Sequence, residues 1–484
     1  MKKFFLLVLF LLTYYPITKS PNNLITCLYA IENLNITETK LATIPENSQF
    51  DNIVFSANGR QVAYKVRRDG KEFVVVGNQA GKLYDRVVKE LGILISPDGQ
   101  KVAYQARRGE KEYLVFALPT GEKEGEPYDD VSPATFSPDG RMVVCEVANK
   151  KGNDKEEWFV IVSDGDKEIF HSPHYDYSNI APLFSPDSRL VLYVLEEGKE
   201  KQTFFITDVN TGEAKKRKTY QKMTGQVVFS PDGKRCAYAA KREGKWSVVW
   251  VDFALNEEKE GPPYDWTWVR AVISPDGQRL AYGAGKEGKS FLMVSNWASP
   301  AEVKESGPYD SIERAVFSPD GSLVAYPAWK EGKWCVVVSP VGKPDGEKEG
   351  RRYDSVSSPV FSPDGSKIVY PAMKDGKWFL VISPADNPAV VKECPAYDMV
   401  VTPIFSPDGS RLVYRARRFG SSPQGEKAER FIVVGDAVTG EVIKEGPVCD
   451  EVWQPVISAD GKYVCYGARI GRELWWKVQS TDLR

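Results

Sequence analysis

The phrase Phe-Ser-Pro-Asp-Gly, or a close variant of it, recurs ten times along this chain and constrains the fold more than any other feature. Its serine lies at Ser56, Ser96, Ser137, Ser185, Ser230, Ser274, Ser318, Ser362, Ser406 and Ser458. The four successive intervals from Ser230 to Ser406 are all 44 residues. A fixed period of this length is the signature of a protein built from repeated supersecondary units.

Each copy of the phrase predicts a tight turn between two strands. A short apolar run precedes the serine and another follows it, ending in a tyrosine such as Tyr370, eight residues after Ser362. Proline presets φ at the second turn position, aspartate suits the third, and glycine accepts the left-handed conformation at little steric cost. The phrase therefore marks a β-hairpin.

Two more strands follow in each repeat. A charged turn containing Gly-Lys leads into a strongly apolar run, as at residues 378–382, and a polar segment comes after it. Four antiparallel strands per repeat, the inner ones more apolar than the outer, describe one blade of a β-propeller. No stretch has a sustained period of 3.6 residues, so the sequence predicts an all-β protein. Seven repeats then show Tyr-Asp about ten residues before the next serine, a packing device rather than a set of active sites: Tyr84, Tyr128, Tyr175, Tyr264, Tyr309, Tyr353 and Tyr397.

These phrases resemble a known group, the bacterial propeller repeats related to WD repeats and to the TolB propeller. The resemblance rests on Phe-Ser-Pro-Asp-Gly, on the Ala-Tyr or Val-Tyr after it, and on Gly-Lys before the third strand, and it covers residues 50–484. The chain looks most like the exported members of that group. The resemblance implies the propeller fold, whereas such propellers serve as binding scaffolds, peptidase gates or enzyme frames.

The two ends of the chain indicate how the ring closes. The last repeat supplies three strands, ending at residues 474–478, and residues 36–44 form a candidate strand that belongs to no repeat of its own. Pairing this N-terminal strand with the last repeat would protect an exposed edge. We therefore predict one ten-bladed ring, although propellers typically have about four to eight blades. Two five-bladed rings are the alternative.

The amino terminus has the shape of a secretory signal. Lys2 and Lys3 precede nine apolar residues, Phe4 to Leu12, and the small residue Ser20 follows. The apolar run is too short to span a bilayer, which needs about 20 residues. We expect residues 1–20 to be a signal peptide, residues 21–484 to be the propeller domain, and the protein to be periplasmic or extracellular. The cleavage site stays open.

Charge and cysteine content narrow the function classes. A net charge of −2 argues against nucleic-acid binding, which usually needs a basic stripe. The densest basic run, residues 215–218, is expected on an outer strand, where charge protects an edge. Four of the seven cysteines fall at apolar strand positions and are expected to be buried. Whether Cys394 and Cys449 form a disulfide is left open.

No catalytic residue, metal ligand or cofactor site emerges from the sequence. The chain has only two histidines, His171 and His174, and no Gly-x-Ser-x-Gly nucleophile elbow. Two histidines do not complete a four-ligand zinc site. Each Asp-Gly turn supplies one carboxylate, whereas calcium takes six to eight oxygen ligands.

A ligand site is expected where the repeats depart from their consensus, in the connections that open at the channel mouth. The candidate ligand-binding residues are Trp266, Trp268, Arg270, Glu313, Arg314 and Trp453. Arg270 and Arg314 both stand three residues before the Ile or Phe of their phrase, so adjacent blades should bring them together. Arginines flanked by tryptophans suit a carboxylate, an acidic peptide or an acidic sugar. Alternatively, the arginines pair with Asp265, Asp310 or Glu313 and only link the blades.

Three functions follow from this pattern. The leading prediction is an exported, non-catalytic scaffold that binds a protein or peptide at the channel mouth. A carbohydrate-binding propeller, which would take an acidic glycan, is the second, because Trp266, Trp268, Trp329 and Trp453 look exposed. A glycosidase or lyase using carboxylates such as Glu313 and Glu451 is the third. The sequence predicts no oligomeric state.

Overall fold

The computed structural model describes residues 34–482, apart from 88–91, 119, 152–154, 177–179, 197, 199–200, 343–345 and 423–424. The predicted signal peptide lies outside these residues. The described chain is all-β and forms ten four-stranded antiparallel blades in one ring, so the ten-bladed prediction is confirmed and the arrangement as two five-bladed rings is not found. Within this part of the chain, no helix has the length and apolarity needed to cross a membrane.

The blades are numbered in the order of their serines. The strands of blades 1 to 3 are β2 (Gln49–Phe55), β3 (Val62–Arg68), β4 (Lys71–Val76), β5 (Gln79–Ala80), then β6 (Arg86–Val87), β7 (Leu94–Ile95), β8 (Val102–Arg108), β9 (Lys111–Leu118), β10 (Gly121–Glu124), then β11 (Asp130–Val131), β12 (Thr135–Phe136), β13 (Val143–Lys151), β14 (Lys155–Ser163) and β15 (Glu168–His171). Those of blades 4 to 6 are β16 (Leu183–Phe184), β17 (Leu190–Glu196), β18 (Gln202–Asp208), β19 (Ala214–Tyr220), then β20 (Lys222–Phe229), β21 (Arg235–Arg242), β22 (Lys245–Asp252), β23 (Glu257–Glu260), then β24 (Trp266–Ile273), β25 (Arg279–Lys286), β26 (Lys289–Asn296) and β27 (Val303–Tyr309).

The strands of blades 7 and 8 are β28 (Ser311–Ile312), β29 (Val316–Phe317), β30 (Leu323–Lys330), β31 (Lys333–Pro340), β32 (Lys348–Glu349), then β33 (Ser355–Val356), β34 (Val360–Phe361), β35 (Lys367–Lys374), β36 (Lys377–Pro384) and β37 (Lys392–Glu393). Those of blades 9 and 10 are β38 (Met399–Phe405), β39 (Arg411–Ser422), β40 (Gly425–Asp436), β41 (Val442–Glu445), then β42 (Glu451–Val452), β43 (Val456–Ile457), β44 (Tyr463–Ile470), β45 (Glu473–Ser480) and the N-terminal strand β1 (Thr39–Thr43). In some blades the innermost strand is interrupted, and both of its short pieces pair with the same second strand.

The repeated phrase forms the turn between the two inner strands of each blade. In blade 8, the Ser362 hydroxyl donates to Asp364 at 2.5 Å and accepts the Lys367 amide at 2.9 Å. Hydrogen bonds from Ser362 and Ser366 lower the pKa of Asp364 to about 2. Gly365 has a φ of +73°, and a Cβ there would lie 3.6 Å from Pro319 of the preceding blade. The phrase therefore both closes its own hairpin and packs against the neighbouring turn.

Tyrosines connect each regular blade to the next. The tyrosine of Tyr-Asp bridges to the third strand of one blade, as Tyr353 does to Trp334 in blade 7, and its ring packs edge-on against the second-strand tyrosine of the next blade. The rings of Tyr353 and Tyr370 are 6.4 Å apart. The Tyr353 hydroxyl then donates to Glu393 on the outer strand at 3.0 Å. We call this arrangement the tyrosine latch.

The aspartate of Tyr-Asp also links two neighbouring blades. Asp398 accepts a hydrogen bond from Lys377 of blade 8 at 2.5 Å and from the Phe419 amide of blade 9 at 2.7 Å. These two bonds hold the pKa of Asp398 below its ordinary value. The aspartate thus accepts a main-chain amide of the next blade, and the Gly-Lys phrase supplies its cation.

The N-terminal strand closes the ring. Strand β1 pairs antiparallel with β45, with Ala42 opposite Leu474, and completes blade 10 as its outer strand. The Arg472 guanidinium donates to the Pro45 and Ser48 carbonyls, and the Trp476 indole donates to the Asn35 carbonyl at 2.7 Å. The predicted strand at residues 36–44 is therefore present, over a shorter range.

The cysteines and the basic run lie as follows in the structure. All six cysteines in the described part are buried and free, including Cys394 and Cys449, while Cys27 falls outside it. The basic run at residues 215–218 lies on β19, the outer strand of blade 4, as expected.

The tyrosine latch predicts a measurable contribution to stability. Tyr353→Phe removes the hydroxyl that donates to Glu393 and keeps the ring, so the free energy of unfolding should fall by about 1–2 kcal/mol in urea unfolding. Glu393 keeps its ion pair with Arg351, so no buried charge is left without a partner. The control Tyr463→Phe changes a half-buried tyrosine outside the latch and should cost much less. Equal losses from the two variants would contradict the latch.

Candidate ligand site at the channel mouth

The candidate residues lie where the innermost strand leaves its regular register. In β24, Trp268 pairs with Gly283 and the pairing resumes only at Val272, opposite Ala281. Arg270 belongs to this bulge. Blade 7 has the same interruption between β28 and β29, and it contains Glu313 and Arg314. The two arginines therefore occupy equivalent backbone positions in adjacent blades, and β24 contacts β29.

A small crevice separates blades 6 and 7 at this level. It has a volume of about 70 Å³ and is lined by Tyr282, Gly283 and Leu292 of blade 6 and by residues 311–315 of blade 7. Gly283 follows the second-strand tyrosine, a position where the other blades carry a side chain, except for Gly467 in blade 10. Around Gly467, the ring of Phe55 fills the space, since a Cβ there would lie 2.5 Å from it. Gly283 lines the crevice together with Arg314.

The Tyr-Asp aspartates that are nearest in sequence to the two arginines bind other cations. Asp265 accepts hydrogen bonds from Lys245 at 2.5 Å and from the Glu287 amide at 3.1 Å, and both lower its pKa. Asp310 binds Lys289 at 2.6 Å, which likewise lowers the pKa of Asp310. These carboxylates serve the blade-to-blade link described above. Asp265 and Asp310 therefore bind lysines of the blade-to-blade link.

The tryptophans of blade 6 have different surroundings. Trp266 is half-buried, and its indole covers Gly285, where a Cβ would lie only 1.9 Å from the ring. Trp266 is therefore a packing residue rather than an exposed platform. The side chains of Trp268 and Arg270 lie outside what the structure describes, although their backbones belong to β24. Glu313 is exposed, and its amide donates to the Pro327 carbonyl at 2.9 Å.

Trp453 lies elsewhere on the ring. Its amide donates to the Gly467 carbonyl at 2.9 Å, and its ring centre is 4.9 Å from that of Phe55 in blade 1. Trp453 thus packs at the junction of blades 10 and 1, with blades 8 and 9 between it and Arg314. Trp266, Trp268 and Arg270 belong to β24 of blade 6, and Glu313 and Arg314 to blade 7, whereas Trp453 lies in blade 10.

The carboxylates named for a glycosidase or lyase are also separated. Glu451 in blade 10 forms an ion pair with Arg469 at 3.0 Å, whereas Glu313 is in blade 7. With two blades between them, they do not flank one bond. The histidines likewise pack on a ring: the centres of His171 and His174 are 4.6 and 6.4 Å from that of Phe159. No set of three or more potential metal ligands comes together among the residues that the structure describes.

Four blades carry a polar side chain at the position of Gly283, which was not predicted from the sequence: Lys65, Gln105, Glu146 and Arg415. Lys65 pairs with Asp51 at 3.1 Å, Gln105 donates to the Val131 carbonyl at 2.7 Å, and Arg415 donates to the Val452 carbonyl at 3.3 Å. The signal was available, because Lys65, Gln105 and Arg415 each directly follow the repeated tyrosine. The position varies from blade to blade, which distinguishes it from the surrounding scaffold.

Glu146, which follows Cys145 at the same position in blade 3, has a strongly perturbed carboxyl group. Glu146 is 5% exposed, and its carboxylate accepts a hydrogen bond from the Tyr175 hydroxyl at 2.5 Å. Burial raises the pKa of Glu146 to about 7, and the hydrogen bond from Tyr175 only partly opposes this. Glu146 is thus protonated in the folded protein under mildly acidic conditions.

Comparison with known proteins identifies no family. No protein-family model and no curated protein matches the chain. Among solved structures, it is similar to a eukaryotic initiation factor at 12% identity, covering 81% of this chain and 97% of that one, with a TM-score of 0.49. TolB from Acinetobacter baumannii shows 18% identity over 61% of this chain and 76% of its own, with a TM-score of 0.30. An oligogalacturonate lyase in complex with manganese shows 15% identity over 72% and 97%, with a TM-score of 0.37.

Glu146 predicts a pH dependence of stability. A pKa of about 7 in the folded state, above the unfolded value of about 4.5, means that its contribution is fully present below pH 4.5 and is lost as the pH rises to 7. Glu146→Gln keeps an acceptor for Tyr175 and removes the ionisation. We measure the free energy of unfolding in urea for the variant and the wild type at both pH values. The variant minus wild-type difference should be up to about 3 kcal/mol more favourable at pH 7.5 than at pH 4.5.

The control for this experiment is Glu46→Gln, which changes an exposed carboxylate in the turn after β1. It should leave the difference between the two pH values unchanged. If Glu146→Gln and the wild type lose stability equally over this range, Glu146 is not the group that titrates.

Proposed function

We propose that this protein is a non-catalytic binding ring that takes an acidic segment of a protein or peptide at the crevice between blades 6 and 7. The observation that carries the proposal is the coincidence of two departures from the repeat at one place. Arginines replace the bland residues of the inner-strand bulge in two adjacent blades, and Gly283 leaves a crevice beside them. A scaffold alone requires neither.

The chemistry of the crevice favours a carboxylate ligand. Guanidinium groups bind carboxylates through paired, charge-assisted hydrogen bonds. The aspartates closest in sequence, Asp265 and Asp310, already bind Lys245 and Lys289. A crevice of about 70 Å³ admits a single small group, such as one acidic side chain, rather than a whole sugar ring.

A peptide partner is supported over a glycan by the surroundings of the tryptophans. Sugar platforms need an exposed aromatic face, but Trp266 covers Gly285 and Trp453 packs on Phe55. Trp329 is half-buried and lies 5.4 Å from Trp334, ring centre to ring centre. A protein or peptide that reaches the channel mouth needs no such platform.

Export to the periplasm or the cell exterior is part of the proposal, and it rests on the predicted signal peptide at residues 1–20. Expression of the full chain with its leader, followed by cell fractionation and mass measurement of the mature protein, tests it. Recovery of the uncleaved chain in the cytoplasm would contradict export without touching the binding site.

The double variant Arg270→Ala/Arg314→Ala tests the site. Immobilised wild-type protein should enrich peptides rich in Asp and Glu from a random display library, and the double variant should lose their binding by at least about a hundredfold, since two charged hydrogen-bonded contacts are removed. Its melting temperature should stay close to that of the wild type. Raising the salt concentration should weaken the wild-type binding.

The matched control is Arg60→Ala/Arg141→Ala, which removes two exposed arginines from the inner hairpin turns on the opposite face. This control should bind the selected peptides like the wild type. Equal losses in both double variants would reduce the binding to general charge attraction. Binding of heparin, but of no peptide, would overturn the peptide partner.

A further inference from the structure

The junction of blades 10 and 1 lacks the tyrosine latch that joins most neighbouring blades, as does the junction of blades 9 and 10, where Cys449 takes the tyrosine position. At a regular junction, the tyrosine stands four residues after the latch glutamate, as Tyr397 does after Glu393, and it pairs with the third strand of the preceding blade at Trp378. In β1, Ala42 stands four residues after Glu38 and pairs with Leu474, the counterpart of Trp378. Ala42 therefore occupies the position of the tyrosine.

The glutamate that would accept the tyrosine hydroxyl is missing from blade 1 as well. In blade 2, the latch acceptor Glu124 pairs with Val115 of the third strand. The corresponding residue of blade 1 is Val75, which pairs with Ala80. Both members of the latch are thus alanines at this junction.

A cavity of about 240 Å³ lies where the latch would be. Its lining includes Tyr64, Arg68 and Phe73 of blade 1, together with Ala80 and Thr43. In size it exceeds the cavity of about 150 Å³ that is known to take a benzene molecule in an apolar protein core. The cavity can therefore hold an aromatic side chain.

The walls of this cavity are those that hold a tyrosine in blade 2. There, the ring of Tyr84 packs edge-on against Tyr104 at 6.3 Å, and the Arg108 guanidinium lies 5.0 Å from its centre. Tyr104 and Arg108 correspond to Tyr64 and Arg68. The aromatic edge and the cation are present in blade 1, whereas the inserted ring and the acceptor glutamate are absent.

Arg68 also lacks the outer-strand carboxylate that its counterparts bind. Arg108 binds Glu124 at 2.9 Å, whereas Arg68 lies 5.8 Å from the centre of the Phe73 ring and 4.0 Å from the exposed Asp69. More than half of the Arg68 side chain is exposed, at 57%. Leu83 at the rim of the cavity is 55% exposed. The slot is thus open, apolar inside and positively charged at its edge.

We propose that this slot is a second docking site, which binds a tyrosine of a partner protein whose neighbouring acidic side chain pairs with Arg68. The partner segment supplies the aromatic ring and the carboxylate that the chain itself supplies at junctions such as that of blades 1 and 2, with Tyr84 and Glu124. Edge-on contacts with Tyr64 and Phe73 hold the ring, and the guanidinium of Arg68 holds the carboxylate. This site is independent of the crevice between blades 6 and 7.

A peptide taken from the chain's own latch tests the slot. The probe is a fluorescein-labelled peptide with the sequence Glu-Gly-Glu-Pro-Tyr-Asp-Asp-Val-Ser, which is that of residues 124–132. The full-length protein should bind it saturably in fluorescence anisotropy. Replacing the tyrosine of the peptide by alanine should weaken binding about tenfold or more, as should Arg68→Ala in the protein.

Filling the slot from within should block the peptide. Ala42→Tyr introduces the tyrosine that most other junctions carry, and it should abolish binding while raising the melting temperature. Because Ala42 is buried, a second variant guards against misfolding: Ala80→Glu, at an exposed position, restores a carboxylate for Arg68 and should weaken binding severalfold. The matched control Arg108→Ala alters the occupied slot of blade 2 and should leave peptide binding unchanged.

Three results would overturn the proposal. The first is unchanged binding by a well-folded Ala42→Tyr and by Ala80→Glu. The second is loss of binding in Arg270→Ala/Arg314→Ala, which would place the peptide at the channel mouth. The third is dimerisation that Ala42→Tyr abolishes, which would make a second copy of the chain the occupant. If Arg270→Ala/Arg314→Ala fails to change the binding of the acidic library peptides, the proposed function is contradicted. The proposal for the slot between blades 10 and 1 is unaffected by that result.

Discussion

The insertion of one blade's tyrosine into the next blade is the contact on which the ring depends. A propeller blade has no core of its own, because its sheet buries apolar side chains only against the two neighbouring sheets. The tyrosine ring fixes the approach of the two sheets, and its hydroxyl reaches a glutamate on the outer strand, as Tyr353 reaches Glu393. Burial raises the pKa of Tyr353, so the hydroxyl stays a donor.

The other repeated phrases support the same junction. The aspartate after the tyrosine collects a lysine from one blade and an amide from the next, as Asp398 does with Lys377 and Phe419. On the opposite face, the turn glycine of most blades packs against the proline of the turn before it, as Gly365 does against Pro319. Three contacts, at three levels of the blade, thus hold one blade against the next, and ten blades close one ring.

Both proposed binding sites lie where this regularity is broken. At blades 6 and 7, Gly283 removes a side chain beside Arg314, and at blades 10 and 1, Ala42 removes the tyrosine ring. The second break has a structural origin, because the N-terminal strand completes blade 10 and the ring is held there by Arg472 and Trp476 instead. A junction that is closed by main-chain pairing can lack the latch. The space left behind is then available to a partner.

The sequence by itself determined the all-β fold, the ten blades and the closing strand. These features are local: the turn around Ser362, the length of each repeat and the unpaired segment before Ser56 can all be read from neighbouring residues. The equivalence of Arg270 and Arg314 also followed from spacing alone. Only the tertiary structure decided that Trp453 lies away from them, that the ring of Trp266 is used in packing, and that blade 1 has an empty slot. Those outcomes depend on which side chain of one blade faces which side chain of the next, and this pairing across the junction is set by strand register and ring closure rather than by the spacing of residues along the chain.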